Sequence, residues 1–377
     1  MKIAYIATSN IPSSTANSIQ VMKVCQALKL NGDEPHLFIP GRGELNWDEL
    51  KRQYGLSVQF QITRIPSLKF FRRFDFIFKA LNAARRARAE VVYTRMLWVA
   101  RFAQLQRMPV ILELHDVPAG RFGRNLFKAY LRSTSPTKTV LITHALGRVI
   151  ESRFNLTIPE STQIIAPDGV DLERYQHLPA PAQARKTLGL KETLTAVYTG
   201  GFYKGRGLEL LLELAIAFPQ VEFLWVGGRP DAVSEWQTII ETKGVENIHL
   251  TGFVPNENLP LFQAAADILL MPFSRSVAGS SGGNTADVCS PMKMFEYMAA
   301  GRTTLTSELP VLREVLNDEN AMFYTPEDFA DLKEKFALLI NDSGLRDRLA
   351  SQARKDVLQH SWQERMRKIL TSFKEES

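Results

Sequence analysis

The chain has 377 residues, 45% hydrophobic and 23% charged, with 46 Lys/Arg, 40 Asp/Glu and a formal net charge of +6. These proportions are those of an ordinary globular protein and exclude a disordered or low-complexity chain. The length exceeds what one hydrophobic core comfortably supports, so two domains are expected. Cys25 and Cys289 lie far apart and form no C-x-x-C pair, which argues against a disulfide framework or zinc site and for a reducing compartment. The opening M-K-I-A-Y-I-A-T-S-N has too short an apolar run for a signal peptide, and no stretch approaches the ~18 apolar residues of a membrane span. The expected location is cytoplasmic, at most peripheral on the inner face of the cytoplasmic membrane.

Residues 2–8 are a β-branched, apolar run that reads as a buried strand. A polar loop follows over 9–18, then a helix carrying Val21, Val24, Cys25 and Leu28 and stopped at Gly32. An α/β domain opens in this way, with the loop at the carboxyl end of the strand where ligands bind. The loop reads S-N-I-P-S-S, not the G-x-G-x-x-G of a dinucleotide oxidoreductase. Strands are predicted next at 36–39, 58–65, 91–95, 110–115, 139–143 and 164–167, a spacing that implies a parallel, doubly wound sheet. The segment 69–88 mixes Phe70, Phe71, Phe74, Phe76 and Phe78 with Lys69, Arg72, Arg73, Lys79, Arg85, Arg86 and Arg88. Either the phenylalanines fill the core beneath solvated cations, or the segment lies against an anionic surface. E-L-H-D at 113–116 ends a strand. His115 there is a structural histidine or a site residue oriented by Asp116, and a metal reading lacks a second ligand at helical spacing. P-D-G-V-D at 167–171 reads as a turn.

The proline-containing stretch 178–192 suits a linker, so domains are expected over 1–177 and 178–360. Alternation restarts with strands at 194–199, 221–226, 248–253, 268–272, 303–307 and 321–324, and the end is helical over 345–358 and 362–373. After the strand at 194–199, T-G-G-F-Y-K-G-R-G places Gly200, Gly201, Gly205 and Gly207 beside Lys204 and Arg206. This is a plain tight turn, or one whose amides approach a phosphate with two cations at hand. The glycine-rich 278–285 leads toward a helix N-terminus that favours anions. That helix is S-P-M-K-M-F-E-Y-M-A-A-G over 290–301, with Ser290 as N-cap, Pro291 at the first position and Gly301 closing it. Met292, Met294, Phe295, Tyr297 and Met298 make it apolar nearly all round and hence buried, yet Lys293 and Glu296 share one face. They satisfy each other, or a polar ligand docks on them. Charge is uneven along the chain. Residues 1–174 hold 25 Lys/Arg against 14 Asp/Glu, a net +11, and the remainder 21 against 26, a net −5. Such asymmetry points to an anionic partner for the first half.

Together these segments resemble glycosyltransferase family 4, the retaining nucleotide-sugar enzymes of GT-B architecture, over the whole chain. I-I-A-P-D-G-V-D resembles the family's I-P-N-G-V-D. L-T-G-F-V-P-N-E-N-L-P-L-F-Q-A-A-A-D-I-L-L-M-P and S-P-M-K-M-F-E-Y-M-A-A-G resemble its donor half. The resemblance implies an α/β chain of two Rossmann-like, doubly wound domains facing a cleft, the first for an acceptor and the second for the donor. A final helix over 361–377 would pack back toward the first. It implies three catalytic residues. Glu296, at the second Glu of E-x7-E, would bind the donor ribose; Arg206, or Lys204 in a competing alignment, the diphosphate; and His115 would lie near the donor sugar. Gly200, Gly201, Ser290, Met292 and Lys293 would complete the donor pocket, and Ser13, Ser14, Thr15, Asn17 and Asp116 would line the acceptor side.

Three departures stand out: Val288 replaces the first Glu of E-x7-E, Gly201 replaces a frequent Arg, and the residues from Ser13 to Asn17 replace an opening Gly-Gly loop. The implied activity moves a sugar from a nucleotide-diphosphate donor to a saccharide or lipid-linked acceptor in cell-surface polysaccharide or glycolipid synthesis. A nucleotide-sugar 2-epimerase and an inactive GT-B partner subunit share the architecture. The chain has no Asp-x-Asp, which argues against a metal-bridged donor, so the nucleotide sugar is a co-substrate and no metal or other cofactor is expected. Cations that stabilise the departing diphosphate would supply most of the catalysis. The basic half is expected to meet anionic lipid headgroups, and no nucleic acid is expected as a partner.

Overall fold

A computed structural model gives the structure of residues 1–67, 74–277 and 285–375. Contacts within the chain divide it into Met1–Asp168 with Trp362–Ser377, the first unit, and Gly169–Ser361, the second. The division lies nine residues ahead of the 177/178 boundary read from the sequence.

In the first unit the short apolar runs form β1 (Lys2–Ile6), β2 (Glu34–Pro40), β3 (Gln61–Ile65), β4 (Val91–Thr94), β5 (Val110–Leu114), β6 (Thr137–Leu141) and β7 (Gln163–Ile165). Among the described residues they make one seven-stranded sheet in the order β3-β2-β1-β4-β5-β6-β7, with every neighbouring pair parallel. The winding reverses between β1 and β4, which pair from Ile3 opposite Val91 to Ile6 opposite Thr94. Central strands of such a sheet are covered on both faces, so they read as continuous rather than alternating apolar runs. Val110, Ile111 and Leu112 of β5 are accordingly fully buried.

The second unit repeats the plan with β8 (Thr195–Thr199), β9 (Glu222–Val226), β10 (Ile248–Gly252), β11 (Ile268–Met271), β12 (Thr303–Ser307) and β13 (Met322–Tyr324). Their order is β10-β9-β8-β11-β12-β13, again all parallel among the described residues. Here the reversal lies between β8 and β11. The doubly wound parallel sheet expected from the alternation is thus present twice. The second core gathers Trp225, Phe223, Leu211, Leu214 and Phe336, with Phe223 stacked on Phe336 at 5.7 Å between ring centres.

The stretch 178–192 is not a structureless linker. Pro181–Leu188 is a helix, begun with proline in its first turn and ended by Gly189 in the left-handed region. Leu178, Leu188 and Leu190 pack against Ala184, Ala264 and Ala265. A proline reads as a breaker, but in the first turn its missing N–H is not needed and its fixed φ favours the helix. The last helix, Trp362–Lys374, lies in the first unit, burying Trp362, Arg365, Met366, Ile369, Leu370 and Phe373. Asn31 donates to the Gln363 carbonyl at 2.8 Å and Lys368 to that of Ile165 at 3.1 Å. No helix among the described residues is long and apolar enough to cross a membrane.

Candidate active site

In a doubly wound sheet, ligands bind beyond the carboxyl ends of the strands, where the winding reverses. In the second unit that place is filled by the loop leaving β8, before the helix Leu208–Ala217, pressed against the segment leaving β11. A Cβ on Gly205 would sit 2.0 Å from the Ser276 carbonyl oxygen, and one on Gly207 1.9 Å from that of Pro272. Both glycines also have positive φ, +82° and +73°, so other residues would push the two segments apart. The Gly205 carbonyl accepts from the Ser274 amide at 3.0 Å, which locks the approach.

This approach gathers two cations around shared aromatic rings. The Arg206 guanidinium carbon lies 4.9 Å from the centre of the Phe273 ring, and its Nε is buried without a hydrogen-bond partner among the described residues. Lys293 Nζ lies 4.0 Å from the centre of the Tyr198 ring and 5.5 Å from that of Phe273, also buried and without a hydrogen bond among the described residues. Tyr198 is fixed by donating its hydroxyl proton to the Gly201 carbonyl at 2.8 Å. A side chain on Gly200 would strike Nζ at 2.7 Å. Burial, and next the nearby Arg206, push the Lys293 pKa well below its ordinary value, against the opposing pull of Glu296. A buried ammonium that meets no anion among the described residues is costly, and an anion bound there would offset that cost.

Lys293 and Glu296 do not satisfy each other. Glu296 Oε2 accepts from Gln263 Nε2 at 3.1 Å, and Gln263 Oε1 accepts from the Tyr175 hydroxyl at 2.8 Å. The helix carrying them is Met292–Ala300, and its N-cap is Pro291, in extended conformation, not Ser290. Its first turn closes from the Met294 amide to the Pro291 carbonyl, one residue later than expected; Ser290 is buried ahead of it. Gly301 ends the helix in the left-handed region, as read from the sequence. Met292 is half-buried at the first turn and Lys204 is exposed, so Arg206 rather than Lys204 joins Lys293. The Tyr203 ring lies where a side chain on Gly201 would project, 2.3 Å from a Cβ built there. Val288 is buried, 5% exposed, and offers no acidic contact. Of the glycine-rich 278–285, residues 278–284 lie outside the described residues.

In the first unit, Thr15 caps the helix Ala16–Leu30, its hydroxyl accepting from the Ser18 amide at 3.4 Å. Ser13 Oγ bonds Ser18 Oγ at 2.9 Å and Thr15 Oγ1 at 3.0 Å, and the Ser13 amide donates to Tyr54 at 2.7 Å. Asn17 bonds the Ser9 hydroxyl, and Ser14 is exposed. These side chains knit the turn after β1 together. Asp116 does not orient His115: its Oδ1 accepts from the Val117 amide and the residue is exposed. His115 Nε2 instead meets Glu113 Oε1 at 2.5 Å, because alternate residues of an extended strand end point the same way.

Glu113 is wholly buried and also accepts from Gln20 Nε2 at 2.7 Å, from the Tyr93 hydroxyl and from Arg365, whose terminal nitrogens lie 2.8 and 3.3 Å away. Burial alone would raise its pKa, but Arg365 and then His115 prevail and hold it well below the carboxylate range. Glu113, His115 and Asp168 bring one potential ligand atom each to within 4.8 Å of one another, and Arg365 already neutralises Glu113. Glu113 and Arg365 escaped the sequence reading, although both left a signal: a lone charge inside V-I-L-E-L, and an arginine on the apolar stripe Trp362, Met366, Ile369, Phe373.

HepE from Anabaena, solved in complex with UDP, superposes on this chain with a TM-score of 0.75 at 16% identity, over 100% of both chains. The chain has the GT-B fold. The C-terminal half of this GT-B chain, residues 206–371, matches the glycosyl transferase-like family model. Alpha-galactosylglucosyldiacylglycerol synthase of Streptococcus pneumoniae is 25% identical over 199 residues, 49% of this chain and 52% of that protein. Phosphatidyl-myo-inositol mannosyltransferase of Mycobacterium leprae is 24% identical over 71% of this chain and 66% of its own length. The matches thus span about half to two thirds of these relatives. The sequence comparisons group the GT-B chain with glycosyltransferases.

Proposed function

We propose that the chain is a retaining glycosyltransferase of family 4, moving a sugar from a nucleoside-diphosphate donor to a saccharide or lipid-linked acceptor in the making of cell-surface polysaccharide or glycolipid. The observation that carries this reading is the pair of cations at the winding reversal of the second unit, Lys293 and Arg206, whose Nζ and Nε find no hydrogen-bond partner among the described residues. Negative charge grows on the diphosphate as the sugar leaves. Cations already fixed by Tyr198 and Phe273 therefore stabilise the transition state more than the bound donor. Glu296, steadied by Gln263, is suited to accept from a ribose hydroxyl pair. On this reading the two cations do the work of a metal ion, and none is required.

HepE has been solved with UDP-glucose, which makes that donor the first to test. Transfer to a glycolipid or saccharide acceptor should retain the anomeric configuration and persist in excess EDTA. Arg206→Ala should lower kcat more than Lys204→Ala does. Strict loss of transfer in EDTA, restored by Mg²⁺, would remove the metal-free part of the reading. Absence of transfer and of nucleotide binding with UDP, GDP and ADP sugars alike would remove the whole of it.

A further inference from the structure

Arg365 reaches Glu113 from the last helix, 252 residues along the chain, and is itself 5% exposed. Its guanidinium is aimed by the carbonyls of Pro167 and Ala166, which accept from Nε at 2.7 Å and from a terminal nitrogen at 3.1 Å. A carboxylate gripped through two guanidinium nitrogens is ionised and only accepts hydrogen bonds. His115, 2.5 Å away, must therefore donate from Nε2. A neutral imidazole with its proton on Nε2 has a bare Nδ1, and among the described residues Nδ1 makes no hydrogen bond.

We propose that Arg365, acting through Glu113, is a positioning residue that fixes His115 as the Nε2-protonated imidazole and so offers Nδ1 as an acceptor to a substrate hydroxyl. The charged groups around the ring agree with this. Burial and then Arg95, which follows β4, lower the His115 pKa, while Glu113 on its own strand and Asp168 after β7 pull the other way. The ring is thus neutral near pH 7 and is an acceptor, not a proton donor, on its free edge. The substrate hydroxyl rests on the transferase reading; the tautomer is a property of the first unit alone.

The test is long-range proton–nitrogen NMR of the full chain labelled in its six histidines, with the His115 signals identified by their loss in His115→Gln. In the wild type at pH 7, Nε2 should carry the proton and Nδ1 should resonate as a bare ring nitrogen. Arg365→Met should turn the ring into imidazolium at the same pH, and Arg365→Lys should keep the wild-type pattern. With an active donor, Arg365→Met should lower kcat roughly 10–100-fold at unchanged donor KM, with Arg365→Lys recovering most of it. A proton on Nδ1 in the wild type, or a folded Arg365→Met with the wild-type pattern, overturns the proposal. If Arg365→Met does not fold, the wild-type and Arg365→Lys spectra decide. If no donor is turned over, the transferase reading falls while the NMR result stands or fails separately.

Discussion

Lys293 shows how a residue can be poorly placed for stability and well placed for a ligand. Its Nζ is buried over the Tyr198 ring with no hydrogen-bonded anion among the described residues, so Lys293→Met should stabilise the unliganded protein by about 1–2 kcal/mol, read as a rise in the denaturation midpoint. The same change should weaken UDP binding roughly 10–100-fold, the contribution of one charge-assisted hydrogen bond. Between its lowered pKa and the ordinary lysine value, the folded chain binds fewer protons at Lys293 than the unfolded chain does. Stability of the unliganded protein should therefore rise with pH through that window. Diphosphate binding restores the proton, so affinity should fall as pH rises through the same window, with proton uptake measurable by calorimetry in buffers of different ionisation enthalpy. UDP binding that is indifferent to pH in the wild type and to Lys293→Met would contradict this account. The sequence made Lys293 and Glu296 visible as charges in an apolar helix. It could not show that they stand apart, because Tyr198, Phe273 and Gln263 come from segments far away in the chain.

The expected contact with an anionic lipid surface is a question for two helices of the first unit. Phe74–Arg86 buries Phe76, which therefore cannot insert into lipid as the phenylalanine pattern suggested, and leaves Phe78 48% exposed. Leu97–Leu105 beside it exposes Trp98 and Leu105, and Phe74, Phe78, Trp98 and Phe102 form a ring cluster with centres 5.0–6.2 Å apart. Lys79, Arg85 and Arg86 are exposed on the first of these helices; Lys69, Phe70, Phe71, Arg72 and Arg73 lie outside the described residues. An apolar cluster beside cations fits an anionic lipid surface, to which each Lys or Arg contributes about 1 kcal/mol. The protein should co-sediment with anionic vesicles, lose this with rising salt, and lose it when Trp98 and Phe78 become Ala or Arg85 and Arg86 become Glu. Equal recovery in the supernatant with neutral and anionic vesicles at low salt would leave the patch without this role. The mixture of phenylalanines and cations in this segment was legible, but the Leu97–Leu105 contribution was not, since only packing shows which helix lies beside it. The helix Pro181–Leu188 was hidden for the opposite reason: its proline and alanines are the residues of a linker as much as of a helix start.

Across the whole molecule, one strand order occurs twice, and this was the most legible feature, because parallel strands need crossover helices and the alternation is written along the chain. That the first unit draws on both ends of the sequence followed from the family resemblance, which placed a final helix against the first domain, and not from the alternation itself. Truncation after Ser361 should leave Lys293, Arg206 and Glu296 in place and UDP binding intact, while removing Arg365 and the apolar stripe of the last helix from the first unit. Thermal denaturation should then show early loss of one part of the structure, with UDP at ~100 times its Kd still protecting the other by about 2.7 kcal/mol. Loss of UDP binding on this truncation would contradict the division of labour. The pairing of Glu113 with Arg365 also bears on the order of events on the ribosome. At ~5–20 residues per second, the 252 residues between the two take roughly 13–50 s to synthesise. Throughout that interval the nascent first unit lacks the guanidinium that its innermost carboxylate requires. The part of the protein made first is thus among the last to be finished.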